Sequence, residues 1–282
     1  MRSSAATMSE PSHDPAAYAE QERFVTVGGQ RLRVRFRRGQ GVPLVLCNGI
    51  GAALETFDPL VAEFDPTRPL VRFDAPGVGE SSVSPLPYGF PYLAWVLGKL
   101  LDKLDIDTVD VLGYSWGGAL AQQFAFQNPK RCRRLVLMAT GTGALMVPGS
   151  PMVLRKMLTP RRYRDPDYAA QIAGDLYGGA VRGKGGAVAD VIGHAMHNNS
   201  RRGYVHQLAA GSIWTSLHGL PFLRQPTLVI AGEDDPIIPL VNARIMQRLL
   251  PNATVYRHPG GHVDPIIVPA PFAHRIDAFL SS

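Results

Sequence analysis

A succession of short apolar runs spaced by helix-length segments limits this chain to few folds. The runs fall at residues 44–47, 70–73, 109–113, 135–139, 227–231 and 253–256, with helical candidates at 52–64, 92–104, 116–127, 241–250 and 271–280. Apolar runs without polar alternation read as strands buried on both faces. Strands separated by helices need crossover connections, and these give a mostly parallel sheet covered on both sides. Within 92–104 the apolar residues Leu93, Val96, Leu97, Leu100, Leu101 and Leu104 recur at the spacing of one buried helical face. Ahead of the runs, β-forming residues flank Gly28-Gly29, the pattern of an antiparallel hairpin. The expected fold class is α/β, with about eight strands and helices on both faces.

The alternation stops between residues 142 and 222, where helical fragments and glycines occur without a convincing strand. An insertion at this point would lie over one end of the sheet. Ligands of open parallel sheets bind outside the carboxyl ends of the strands, so such a cap would wall the site. The expected division is a disordered tail over 1–22, a core made of 23–141 and 223–282, and a helical cap over 142–222. With 45% hydrophobic residues in 282, the chain can fill one large core and an inserted subdomain.

Residues 109–113 run directly into Gly113-Tyr114-Ser115-Trp116-Gly117-Gly118, after which the helical run begins. A strand that turns sharply into a helix forces its central serine into strained backbone, which small neighbours tolerate. The hydroxyl then stands at a helix N-terminus, where backbone N–H groups favour developing negative charge. Serine is a poor nucleophile unaided and needs a base and a group to orient that base. His262, in Pro259-Gly260-Gly261-His262 after the last strand, is the candidate base, with His258 as its near rival. The candidate acid follows the 227–231 strand in Gly232-Glu233-Asp234-Asp235-Pro236: Asp235, with Asp234 as runner-up. Asp264, two residues beyond His262, reads as an exposed loop carboxylate. The backbone N–H groups of Trp116 and of Ile50, in Asn48-Gly49-Ile50-Gly51, are candidate donors to an oxyanion. Asp74 to Gly79 reads as a structural turn at the site's rim. In the cap, Met146 and Trp214 are candidate substrate contacts among a set of apolar residues suited to an aliphatic chain.

A formal charge of +6 raises the question of an anionic partner. The arginine pairs Arg161/Arg162 and Arg201/Arg202 do not extend into a basic stripe with interleaved aromatics, which argues against nucleic acid. Cys47 and Cys132 lie in or beside apolar runs and read as buried free thiols. No apolar stretch is long enough for a transmembrane helix, and no secretory leader pattern is present. A cytoplasmic location is expected.

Taken together these positions resemble the α/β-hydrolase superfamily. More narrowly the chain is similar to the intracellular depolymerases of medium-chain-length polyhydroxyalkanoates. The similar stretches include Asn48-Gly49-Ile50-Gly51, Pro76-Gly77-Val78-Gly79 and Gly113 through Ala125. In the cap they include Met146-Val147-Pro148-Gly149, Pro160-Arg161-Arg162-Tyr163, Tyr177-Gly178-Gly179 and Trp214-Thr215-Ser216, and beyond it Asp234-Asp235-Pro236-Ile237-Ile238-Pro239-Leu240. The tail before Phe24, the residues just after His262 and the stretch 182–200 depart from the family pattern. The resemblance implies a serine, acid and histidine at Ser115, Asp235 and His262, no metal or organic cofactor, an aliphatic polyester or ester as substrate, and a granule surface as a possible partner. A small-ester esterase, a carbon–carbon bond hydrolase and a non-catalytic receptor on the same scaffold are the competing readings.

Overall fold

A computed structural model of the chain describes residues 18–158, 165–182 and 200–282. Most of the expected tail (residues 1–17), the Arg161/Arg162 pair, His194, His197 and residues 183–199 of the divergent stretch lie outside the described residues.

The chain opens with the hairpin of β1 (Gln21–Val27) and β2 (Gln30–Arg37). Both turn residues have positive φ, 54° at Gly28 and 79° at Gly29, so glycine is needed at each. Strand β1 begins inside the expected tail, and Glu20 pairs with the buried Arg72 guanidinium. The tail boundary therefore moves back: an ion pair and strand pairing fix residues 20–22 to the sheet.

There follow β3 (Leu44–Cys47), α1 (Asp58–Ala62), β4 (Leu70–Phe73), α2 (Phe90–Lys103), β5 (Val109–Tyr114), α3 (Trp116–Gln127) and β6 (Cys132–Met138). Next come α4 (Pro151–Leu158), α5 (Pro166–Tyr177) and α6 (Arg201–Ile213), and then β7 (Thr227–Gly232), α7 (Val241–Leu249), β8 (Ala253–His258), α8 (Asp264–Ile267) and α9 (Ala270–Ser281). The eight strands lie in the order β1-β2-β4-β3-β5-β6-β7-β8. β2 pairs antiparallel with β1 and β4, and every other pairing is parallel.

Two apolar clusters sandwich the sheet, and the period of two along each strand sends alternate residues to each. Val45, Val111, Leu135, Leu137 and Val229 face α2 and α3, where Leu93, Val96, Leu97, Leu100 and Phe124 meet them. Leu44, Leu46, Leu112, Val136, Leu228 and Ile230 face the other way, onto Phe57 and Leu60 and onto Phe272 and Ile276 of α9.

From β3 the chain steps to β4 on one side; from β4 it returns past β3 to β5 on the other. The loops leaving β3 and β5 therefore diverge, opening a crevice at the carboxyl ends of the strands. The segment carrying α4, α5 and α6 enters and leaves the core at a narrow neck, closed by a bridge between Gly143 and Thr215 and by Ala144 N–H donating to the Trp214 carbonyl at 2.7 Å. Asp165 caps α5 by accepting from Tyr168 N–H, and Ser200 caps α6 by accepting from Gly203 N–H. No helix among the described residues is long and apolar enough to cross a membrane.

Candidate active site

Ser115 sits between β5 and α3 with φ 53° and ψ −119°, a conformation that costs a non-glycine residue free energy. Neighbouring contacts impose it. Ser115 N–H donates to the Met138 carbonyl at 2.9 Å, while its carbonyl accepts from Thr140 Oγ1 at 2.7 Å and Gly118 N–H at 2.9 Å. At Gly117 an added methyl would run into the carbonyl oxygens of Cys47 and Asn48, so the first turn of α3 lies directly on the end of β3. The strain and the close approach account for the small residues around the serine.

His262 comes from the turn after β8. Its Nε2 lies 3.0 Å from Ser115 Oγ and its Nδ1 lies 2.8 Å from Asp235 Oδ2. Both side chains are nearly inaccessible, at 6% and 1%. The other oxygen of Asp235 accepts from the N–H groups of Ile237 and Ile238, each at 2.9 Å, so the carboxylate cannot rotate away from the ring. The histidine backbone is held on both sides: its N–H donates to the Tyr177 carbonyl at 2.7 Å and its carbonyl accepts from Tyr114 Oη at 3.1 Å. Burial pushes the Tyr114 phenol well above its ordinary pKa, so it stays a neutral donor.

The runner-up acid, Asp234, faces away. It receives two hydrogen bonds from Arg182, at 2.7 and 2.8 Å, and one from Gly179 N–H. The rival base, His258, is buried with Nδ1 accepting from Gly260 N–H at 3.2 Å and its ring edge-on to Phe272. Burial lowers its pKa and keeps the ring neutral.

One expectation needs correction. Asp264 is buried rather than exposed, and accepts from Ala180 N–H. That donor lies 84 residues away on the segment following α5, so the covering partner was invisible locally. Trp214 belongs to the core cluster: its ring centroid lies 5.0 Å from that of Phe90 and its Nε1 donates to Gln123 Oε1 at 2.6 Å. Met146 is half-buried and folds over Gly141. The described contacts of these two residues are with the core and the neck.

Two peptide units beside the serine have their carbonyls held, and in a trans amide C=O and N–H point oppositely. The Gly49 carbonyl accepts from Ala52 N–H, which turns Ile50 N–H to the opposite side; the Ser115 carbonyl is held by Thr140 and Gly118, which does the same for Trp116 N–H. A methyl on Gly49 would lie 3.6 Å from Ser115 Cβ, so this loop passes directly over the nucleophile turn. Among the described residues neither N–H has a hydrogen-bond acceptor. Asp74, fully buried below the same loop, accepts from Leu54 N–H at 2.8 Å and Glu80 N–H at 3.1 Å. Burial raises its pKa to about 6 against these two hydrogen bonds.

A serine whose hydroxyl faces a buried, carboxylate-bound imidazole is the arrangement for nucleophilic attack on a carbonyl. Comparison with known proteins gives the family. The family model for the alpha/beta hydrolase fold matches residues 42–178. A poly(3-hydroxyalkanoate) depolymerase of Ectopseudomonas oleovorans is 46% identical over 243 residues, covering 86% of each chain. A 2-hydroxy-6-oxo-2,4-heptadienoate hydrolase of Pseudomonas putida is 30% identical over 250 residues, covering 82% of this chain and 86% of its own. Among solved structures, the enol-lactonase from Burkholderia xenovorans LB400 superposes with a TM-score of 0.80 at 23% identity, over 92% of this chain and all of that one. On these matches the chain is a carboxylic ester hydrolase and belongs to the α/β-hydrolase family.

Proposed function

We propose that the protein hydrolyses aliphatic esters through an acyl-enzyme on Ser115, and that its substrates are poly(3-hydroxyalkanoate) or its oligomers with medium-length side chains. The observation that carries the serine mechanism is the continuous chain Ser115 Oγ, His262, Asp235 with links of 3.0 and 2.8 Å. His262 Nε2 takes the hydroxyl proton as Ser115 Oγ bonds to the ester carbon. The carbonyl oxygen becomes an oxyanion, which accepts from Ile50 N–H and Trp116 N–H. Collapse of this intermediate breaks the bond to the alcohol oxygen, and His262 returns the proton to the leaving alcohol. Water then repeats the sequence on the acyl-serine, with His262 again as base. Asp235 fixes the ring and stabilises the imidazolium.

The polyester reading is supported by the 46% identical relative, which is named for that polymer. It is also supported by the apolar cluster that Val153, Ile172 and Leu176 of the inserted helices form with Ile237, two residues from Asp235. A cytoplasmic location, where such polymer granules would be met, completes this reading. Incubating the purified protein with medium-chain polyester granules should release 3-hydroxy acids, and Ser115→Ala should release none. The 30% identical relative keeps a second substrate in view, a 2-hydroxy-6-oxodienoate. Consumption of such a dienoate at rates above those on hydroxyacyl oligomers would transfer the proposal to it.

A further inference from the structure

Gln207 lies on α6, is 1% exposed, and reaches the two loops that flank Ser115 with different atoms. Its side-chain Oε1 accepts from Gly51 N–H at 2.7 Å. Since Gly51 N–H can only donate, the atom facing it is the amide oxygen. The main-chain carbonyl of the same residue accepts from the indole Nε1 of Trp116 at 2.9 Å. Gly51 follows Ile50, and Trp116 follows Ser115. One residue of the inserted segment therefore ties the loop after β3 and the start of α3, 156 and 91 positions away from it.

The Gly51 bond has a specific geometric effect. Gly51 adopts φ 65°, a left-handed conformation that glycine takes without steric cost and that the bond from Gln207 helps to hold. The Ala52-to-Gly49 bond, at 3.2 Å, orients the peptide carrying Ile50 N–H only while the next peptide stays in place. Gln207 fixes that next peptide. Without it the Ile50 donor loses its aim, although the Ser115, His262 and Asp235 contacts remain intact.

We propose that Gln207 is a positioning residue for transition-state stabilisation: it locks the Ile50 N–H toward the oxyanion and ties that donor to the inserted helix α6. This rests on the assignment of Ile50 and Trp116 as oxyanion donors made above. Such a residue acts on the tetrahedral state and not on the bound ester, so its removal lowers kcat and leaves KM in place.

The test is steady-state hydrolysis of a soluble medium-chain p-nitrophenyl ester, together with inhibition by an alkyl boronic acid, which forms a tetrahedral adduct on the serine. Gln207→Met keeps the length of the side chain and removes the acceptor; Gln207→Glu keeps an acceptor oxygen at the same place. The expected result for Gln207→Met is a kcat about tenfold or more below wild type, less than the ~10²–10³ lost on deleting a donor outright. KM stays within about twofold, and boronate affinity falls in parallel with kcat. Gln207→Glu recovers most of both. Should Gln207→Met fail to fold, Gln207→Asn, too short to reach Gly51, takes its place with the same expectations. Unchanged kcat in either variant, a rise in KM at constant kcat, boronate affinity that does not follow kcat, or Glu as impaired as Met would overturn the proposal. Ser115→Ala, measured alongside, separates the two levels. An active Ser115→Ala removes the serine mechanism itself, whereas an inactive one beside a fully active Gln207→Met removes only the positioning role.

Discussion

Ser115 and His262 stand 147 positions apart in the chain and 3.0 Å apart in space, so their pairing is a product of the fold as a whole. Ser115→Ala deletes the attacking atom without disturbing the hydrogen bonds that hold the turn. Its kcat on a soluble ester should fall by a factor on the order of 10⁴ to 10⁶ with little change in thermal midpoint. The adjacent aspartates give a sharper contrast. Asp235→Asn should cost on the order of 10⁴ in kcat, because an amide facing Nδ1 disfavours the tautomer the base requires. Asp234→Asn should leave kcat within a few-fold of wild type, since that side chain is 40% exposed and spoken for by Arg182. Equal losses in the two variants would contradict the assignment. The meeting of Ser115, Asp235 and His262 was legible in sequence because each follows a strand whose end is marked by glycine or proline. Gln207 carries no such mark: a glutamine within a helix looks the same whether it meets solvent or a backbone N–H across the crevice.

At the scale of elements, strands β3, β4, β5 and β7 were readable nearly to the residue, because burial on both faces leaves unbroken apolar runs. β6 was harder. It begins at Cys132, three residues before its apolar run, with Arg133 in the strand and its guanidinium on the buried Asp110 carboxylate. A charge inside a strand breaks the pattern unless its partner is known. The same reason underlies the misreading of Asp264, whose cover comes from the segment 179–182. The contact between α3 and β3 gives a test at this scale. Gly117→Ala places a methyl against two main-chain carbonyls that cannot rotate aside, and should destabilise the fold by about 1–3 kcal/mol in urea unfolding, with a loss of activity as the serine turn shifts. A stability equal to wild type would mean that β3 and α3 are less tightly apposed.

For the whole molecule, two carboxylates give opposite dependences of stability on pH. Hydrogen bonds and charge from Arg33 and Arg35 hold Glu22 down at about 2, so its contribution is complete above the ordinary carboxylate pKa and is lost as pH falls through 2. Asp74 is raised to about 6, so the folded state binds a proton more tightly than the unfolded chain. Stability is therefore lost as pH rises from about 4 to about 6, by up to roughly 3 kcal/mol from this group. Asp74→Asn carries a constant penalty for the acceptor it lacks, but removes that slope. Its unfolding free energy relative to wild type should climb across the same window, and parallel urea curves at pH 4 and pH 7 would refute the burial argument. The two cysteines extend this view. Cys47 and Cys132 are buried in β3 and β6, unpaired, and their thiols are pushed far above the ordinary range. Only a thiolate alkylates readily, so neither sulfur can react until its strand parts from its neighbours. Iodoacetamide uptake, followed by mass, would thus clock the opening of the central sheet in the unmodified protein, with no label to engineer.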